Sequence, residues 1–174
     1  MIKLSPAYQV ITYILFGIAC FLCLVDLFAV LASLVNPAML LETFLLTGVI
    51  IYAFASFNFV RAATQKGILK RTMYIWLRAT AIITTIAAVM TLVDSVILLS
   101  NPDLVSDSYN QVMKMQPASV SARFTKSDFI NMFSVMMYIC EACCLLLLLH
   151  VTITFGLLRK HGNLFGKKDE QQLP

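Results

Sequence analysis

The sequence predicts an all-α protein folded as a four-helix transmembrane bundle. Of its 174 residues, 60% are hydrophobic and only 13% are charged, whereas soluble domains are about 45–50% apolar and ~25% charged. Four apolar segments, near 7–35, 38–60, 79–100 and 129–157, are each long enough to cross ~30 Å of hydrocarbon as a helix. Lipid offers no hydrogen bonds to the backbone, and the alternating strands of a barrel are absent, so helices are the expected spanning form.

Capping residues and prolines predict where the helices begin and end. Ser5-Pro6 fits an N-cap followed by a proline in the first turn. Asn36-Pro37 ends the first span and opens the second, which predicts a tight helical hairpin, and Asn101-Pro102 repeats this arrangement after the third span. Ser127-Asp128 is the expected cap of the fourth helix, with the carboxylate near the positive helix end.

The distribution of basic residues predicts that both termini are cytoplasmic. If the N-terminus, the segment 61–78 and the tail share one side, that side has ten of the 13 basic residues. Cytoplasmic loops carry an excess of Lys and Arg. The opposite side then has only the three in the outer loop of about 28 residues (101–128), namely Lys114, Arg123 and Lys126.

The whole chain, 1–174, is predicted to form a single integral membrane domain with a flexible polar tail at 162–174. Within the outer loop, Leu104, Val105, Val112, Met113 and Met115 predict a short amphipathic surface helix. That helix is either a connector or a surface on which a partner docks. The expected location is the plasma membrane, in bacteria the inner membrane, with several passes through the bilayer.

One acidic residue in each span is the most informative feature of the sequence. These residues are Asp26, Glu42, Asp94 and Glu141, and no Lys or Arg lies at a matching depth. Ionisable groups inside the membrane are rare and costly, so they indicate function by default. We hypothesise that the four carboxylates line an outward-opening polar cavity that holds a proton or a metal cation.

Small and polar residues that recur with the acids support this arrangement. The first helix repeats Thr12, Ala19, Asp26 and Ser33 every seven residues, and Thr91, Ser134 and Tyr138 lie near the acids of the third and fourth helices. Such seams are expected to face protein rather than lipid. The alternative is that each acid hydrogen-bonds to a neighbouring helix and fixes packing, and for Glu42 this alternative is favoured.

The cysteines and His150 are weaker candidates for chemistry. Cys140, Cys143 and Cys144 have a spacing that soft metals use, but buried thiols mostly behave as small hydrophobic groups. His150 is expected to be a hydrogen-bonded packing residue. No bound cofactor is predicted apart from a possible cation, and Gly48 and Gly156 are expected to permit close helix contact.

These observations leave two functions open. Phosphate-binding glycine loops, nucleophile elbows and zinc-protease motifs are absent from the sequence, which favours a non-catalytic accessory or assembly subunit, or a homo-oligomeric bundle. Its partners would be the lipid bilayer and other membrane subunits or further copies of itself, and not nucleic acid. The alternative is a small cation- or proton-linked transporter or channel that uses the carboxylates, and a membrane thiol-redox enzyme is a distant third.

Overall fold

The computed structural model describes residues 4–65, 71–115 and 125–161. Within these ranges the chain is helical and contains no β-strand. It forms α1 (Pro6–Val35), a 3-10 turn (Pro37–Met39), α2 (Leu40–Thr64), α3 (Arg71–Ser100), α4 (Pro102–Met115) and α5 (Lys126–His161).

Four of these helices, α1, α2, α3 and α5, are long and apolar enough to cross a membrane. This confirms the predicted all-α class and indicates a membrane-spanning protein. The observed helices are longer than the apolar segments: α3 begins at Arg71 rather than near residue 79, and α5 runs from Lys126 to His161 rather than over 129–157. Hydropathy marks only the part that suits hydrocarbon, whereas helical hydrogen bonding continues until a helix-breaking residue stops it.

The predicted caps at the first two boundaries are confirmed. The Ser5 hydroxyl accepts a hydrogen bond from the Tyr8 amide at 3.2 Å, and Pro6 occupies the first turn of α1. Asn36 ends α1, and its side-chain oxygen accepts from the Ala38 amide at 3.2 Å. The chain therefore turns within a few residues from α1 into α2, as the predicted hairpin requires.

The predicted cap of the last helix was wrong by two residues. Thr125, not Ser127, caps α5, because the Asp128 amide donates to the Thr125 hydroxyl oxygen at 3.2 Å. The Asp128 carboxylate in turn accepts from the Thr125 amide at 3.3 Å and from its hydroxyl at 2.6 Å. This reciprocal arrangement satisfies free backbone donors at both positions, which is the advantage of a capping box.

The chain divides into two compact units. The first comprises Met1–Ala87 and Leu146–Pro174, and the second comprises Ala88–Leu145. The prediction of a single domain is not tested by this division and stays a prediction. The core of the first unit combines apolar and aromatic side chains from α1, α2, α3 and the second half of α5, among them Tyr8, Tyr52, Phe59, Leu77 and Val151.

Close packing within the first unit depends on Gly48. A Cβ atom built on Gly48 would overlap the Cγ2 atom of Ile83 and lie 3.4 Å from its Cβ. Only glycine therefore lets α2 approach α3 so closely, as predicted. The same prediction was wrong for Gly156, where a Cβ would meet nothing within 4 Å. The sequence shows where a glycine lies, but it does not show which residue of another helix packs against it.

In the second unit, the predicted amphipathic helix is confirmed as α4. Val105 is buried, and Tyr109 packs against Phe129 of α5 with ring centroids 5.4 Å apart. Leu104 and Val112 remain exposed. One part of the apolar face of α4 therefore packs against the rest of the chain, and another part is exposed. The predicted flexible tail at 162–174 lies outside the described residues.

Candidate functional site

Five buried polar side chains form a hydrogen-bonded cluster in the first unit. Tyr8 and Thr12 come from α1, Tyr52 comes from α2, and His150 and Thr154 come from α5. Each of the five is at most 1% exposed. We call this set the His150 cluster.

His150 uses both ring nitrogens in this cluster. Its Nε2 atom lies 2.8 Å from the Thr12 hydroxyl oxygen, and its Nδ1 atom lies 2.8 Å from the Tyr52 hydroxyl oxygen. Tyr8 stacks on the imidazole with planes 4° apart, and Tyr52 meets it edge to face with a centroid distance of 5.6 Å. The prediction of a hydrogen-bonded histidine is confirmed, and both nitrogens are occupied by hydroxyl groups.

Thr154 connects the two phenols. Its hydroxyl oxygen lies 3.0 Å from that of Tyr8 and 2.9 Å from that of Tyr52, and it donates to the backbone carbonyl of His150 at 2.8 Å. Thr12 similarly donates to the carbonyl of Tyr8 at 2.8 Å. Every side-chain polar atom of the cluster has a partner, so the cluster avoids the cost of an unsatisfied polar group in an apolar interior.

Sequence reasoning did not find the cluster as a site. It placed Thr12 on a seam of α1 and His150 on a helix, but nothing connected them with Tyr8, Tyr52 or Thr154. The three helices α1, α2 and α5 meet through long-range packing, and single-sequence patterns carry no information about that pairing. The one available signal was polar residues one turn apart on α5, His150 and Thr154, within an apolar span.

Of the four predicted carboxylates, Asp26 is half-buried in the first unit. Its Oδ2 atom accepts a hydrogen bond from the Thr47 hydroxyl at 2.9 Å, which links α1 to α2. Its Oδ1 atom is buried and forms no hydrogen bond with the described residues. A carboxylate oxygen has two lone pairs, so Oδ1 retains the capacity to accept a proton, a water or a cation.

Glu141 is half-buried in the second unit. Its Oε1 atom accepts a hydrogen bond from the Ser95 hydroxyl at 3.0 Å, which links α5 to α3. Ser95 is itself buried. This contact fits the alternative interpretation of the acids, in which a carboxylate fixes helix packing by bonding to a neighbouring hydroxyl.

Glu42 and Asp94 are exposed on the chain, in contrast to the expectation that all four acids face protein. The seam of α1 is confirmed as buried at Thr12, Ala19 and Ser33, but α3 presents its seam outward at Thr91 and Asp94. Helical spacing assigns these residues to one face, and it does not tell where along the helix the neighbouring helices stop covering that face.

The other predicted site residues differ in how exposed they are. Ser134 is half-buried and Tyr138 is 61% exposed. Cys140 and Cys143 are half-buried, Cys144 is buried, and all three are free thiols. Across residues 4–65, 71–115 and 125–161, no group of three or more His, Cys, Asp or Glu side chains is arranged to hold a metal ion. The geometry thus adds no support for a metal at the cysteines or the carboxylates.

Comparisons with protein-family models, with curated proteins and with solved structures found no match to this chain.

Proposed function

We propose that the protein is a non-catalytic subunit of a membrane complex, and that it binds another membrane protein through the face of α3 that bears Thr91 and Asp94. One observation carries this proposal. Asp94 is exposed on an apolar helix and forms no hydrogen bond or ion pair with the described residues.

The surroundings of Asp94 suit lipid or a protein partner better than water. The neighbouring side chains Val93, Val96 and Ile97 are each 47–55% exposed. Asp94 lies six residues before the end of α3 at Ser100, so about 9 Å from that end at ~1.5 Å per residue. An acidic side chain at the helix centre costs ~2.5–3.5 kcal/mol on insertion scales, and a partner that neutralises it would offset this cost.

Charge complementarity favours a different chain as that partner. The basic residues of the described helices lie near helix ends, at Arg61, Arg71, Arg78, Lys114, Lys126, Arg159 and Lys160. A second copy joined through the same face would bring two Asp94 carboxylates together, and like charges repel. We therefore propose a partner with a Lys or Arg side chain within its own membrane span.

The proposed orientation has both termini on the cytoplasmic side of a plasma membrane, in bacteria the inner membrane. The support is the ten-to-three division of basic residues between the two sides that follows from four crossings. In this orientation Asp94 lies in the outer half of the bilayer.

Site-specific photo-crosslinking in the native membrane tests the subunit proposal. A photoreactive amino acid at position 91, beside Asp94, is expected to capture one discrete membrane protein with an intramembrane basic residue. The matched control places the same reagent at Phe28, which is 70% exposed on α1, and should capture lipid. Native mass measurement should show a complex that Asp94→Leu disrupts and that Asp107→Asn, on α4 outside the spans, leaves intact.

A lone, monodisperse species in mild detergent would contradict the proposal. Equal crosslinking from positions 91 and 28 would contradict it too, and so would a complex that survives Asp94→Leu. Capture of a second copy of this chain would replace the proposed partner by the homo-oligomeric bundle.

A second candidate function is a small cation- or proton-linked transporter, and Asp26 is the observation that favours it. Its buried Oδ1 atom has no hydrogen-bond partner among the described residues. Liposomes that contain the purified protein would be tested for flux under a pH gradient and then under a sodium gradient. Flux that Asp26→Asn abolishes and Glu42→Gln spares is expected, and no flux under either gradient would exclude this candidate.

A further inference from the structure

The hydrogen bonds of the His150 cluster have an unusual proton count. Six contacts, four among side chains and two to the carbonyls of Tyr8 and His150, each need one proton. The four hydroxyl groups supply four protons, and a neutral imidazole supplies one. Five donors therefore serve six contacts, and the neutral cluster always leaves one contact unmade.

Two arrangements of the five protons keep all four side-chain contacts and leave out only one of the two carbonyl contacts. In the first, Thr12 donates to Nε2, the protonated Nδ1 donates to Tyr52, Tyr52 donates to Thr154, and Thr154 donates to the carbonyl of His150. The carbonyl of Tyr8 then lacks its hydroxyl donor. In this arrangement the histidine carries its proton on Nδ1.

In the second arrangement each of these bonds is reversed. Thr154 donates to Tyr52, Tyr52 donates to Nδ1, the protonated Nε2 donates to Thr12, and Thr12 donates to the carbonyl of Tyr8. Now the carbonyl of His150 lacks its hydroxyl donor. Because Tyr8 donates to Thr154 in both arrangements, the two differ only in the direction of the chain and in the histidine tautomer.

We propose that the His150 cluster is a proton-binding site that relays one proton through the imidazole. Hydronium transfers a proton to the ring nitrogen of His150 that carries no hydrogen, so one O–H bond of hydronium breaks, one N–H bond forms and water leaves. The hydroxyl that had donated to this nitrogen turns to its other contact and accepts from the new N–H group. The doubly protonated ring donates on both sides, so all six contacts are made. Transfer of the proton from the other ring nitrogen to water breaks that N–H bond and forms hydronium. The imidazole is then neutral again, and the hydrogen-bond chain is reversed.

The groups that face the imidazole are suited to a transient charge. Burial opposes a charged ring, but both N–H groups have hydroxyl acceptors, and the aromatic face of Tyr8 lies 4.6 Å from the imidazole centroid. Cations are attracted to such faces. The phenols Tyr8 from α1 and Tyr52 from α2 are the titratable groups that contact the ring, while α3 contributes the apolar Leu77 and Ala81 to the same core.

The proposal goes beyond the subunit function and uses none of the residues near Asp94, so either can fail alone. Its test is nitrogen-15 magnetic resonance of imidazole-labelled full-length protein in lipid vesicles, over a range of pH. The variant His161→Asn provides the background, because the chain has only two histidines. The nitrogen signals distinguish the two neutral tautomers from the doubly protonated ring.

We expect both His150 nitrogens to become protonated together on acidification while the protein stays folded, and both neutral tautomers to be present at higher pH. Thr12→Val removes the acceptor of Nε2, so it should abolish the doubly protonated form, whereas Thr12→Ser should restore it. The matched control is Thr152→Val. Thr152 is exposed on α5, the helix that carries His150, and its hydroxyl donates to the Leu148 carbonyl.

A wild-type protein that keeps one neutral tautomer at every pH at which it is folded would overturn the proposal. So would a doubly protonated form that persists in Thr12→Val. The wild-type result and the Thr12→Ser result remain decisive even if the valine variant fails to fold.

Discussion

The ring of Tyr8 lies parallel to the imidazole of His150, with centroids 4.6 Å apart and planes 4° apart. This contact joins the first turns of α1 to the second half of α5, so residues from opposite ends of the chain close the first unit. The stacked pair and its hydroxyl partners are almost fully buried. A polar cluster in such a position specifies one arrangement of helices, because any other arrangement leaves its donors and acceptors unsatisfied.

Removal of the Tyr52 hydroxyl should destabilise the protein, because this hydroxyl has two contacts within the His150 cluster. Tyr52→Phe leaves His150 Nδ1 without its partner and removes one of the two phenols bound to Thr154. Since an unsatisfied buried group costs about 1–3 kcal/mol, we expect the free energy of unfolding in detergent to fall by about that amount. Tyr13→Phe is the control, because Tyr13 is 53% exposed on α1. Equal stability of the two variants would contradict the importance of the cluster.

Two buried threonines should respond in opposite ways to the loss of a hydroxyl group. Thr154 and Thr84 are both fully buried, but Thr154 has three hydrogen-bond contacts, whereas the Thr84 hydroxyl has none among the described residues. Thr154→Val should therefore lower the free energy of unfolding by about 1–3 kcal/mol, and Thr84→Val should leave it unchanged or raise it. Thermal unfolding of both variants checks this, and a destabilised Thr84→Val would reveal a partner for that hydroxyl.

The sequence predicted the four spans and two of the caps because those features are local. Apolar length, a proline in the first turn and a hydroxyl before it act within a few residues of the chain. The His150 cluster depends instead on which helices pack together, and the exposure of Asp94 depends on where that packing ends. A periodic pattern contains no information about either property. The spacing therefore predicted that the polar residues of α3 share one face, but not that Thr91 and Asp94 on this face are exposed.

Gly48 and Gly156 both lie in helices that are long and apolar enough to span a membrane, so they can be compared directly. Gly48→Ala would force a Cβ against Ile83, whereas Gly156→Ala would meet nothing within 4 Å. Overpacking of a well-packed contact costs about 1–3 kcal/mol, so Gly48→Ala should lower the unfolding temperature and Gly156→Ala should not. An additional Ile83→Ala replacement should recover part of the loss, because it removes the overlapping atom. Equal unfolding temperatures of the two alanine variants would contradict the close approach.

The contact between Ser95 and Glu141 should stabilise the second unit. Ser95→Ala removes the hydroxyl that donates to Glu141 Oε1, and hydrogen bonds to charged groups contribute about 1.5–3 kcal/mol. Glu141→Gln keeps a carbonyl oxygen that can accept from Ser95, so its effect should be smaller. A double-mutant cycle that combines Ser95→Ala with Glu141→Ala, which removes the acceptor, measures the interaction energy of the two side chains. Strictly additive effects of the two replacements would mean that the contact contributes nothing.

The proposed orientation of the chain predicts which residues a membrane-impermeant thiol reagent can reach. In a background without the five native cysteines, Asn110→Cys on α4 should be labelled in intact cells, because α4 follows the outer end of α3. Gln65→Cys, just after α2, should be labelled only after the membrane is permeabilised. Both positions are exposed, so a difference between them reports sidedness rather than burial. The reverse pattern would invert the topology, and with it the placement of Asp94 in the outer half of the bilayer. Labelling of both positions in intact cells would place them on the same side and would therefore exclude a single crossing by α3 between them.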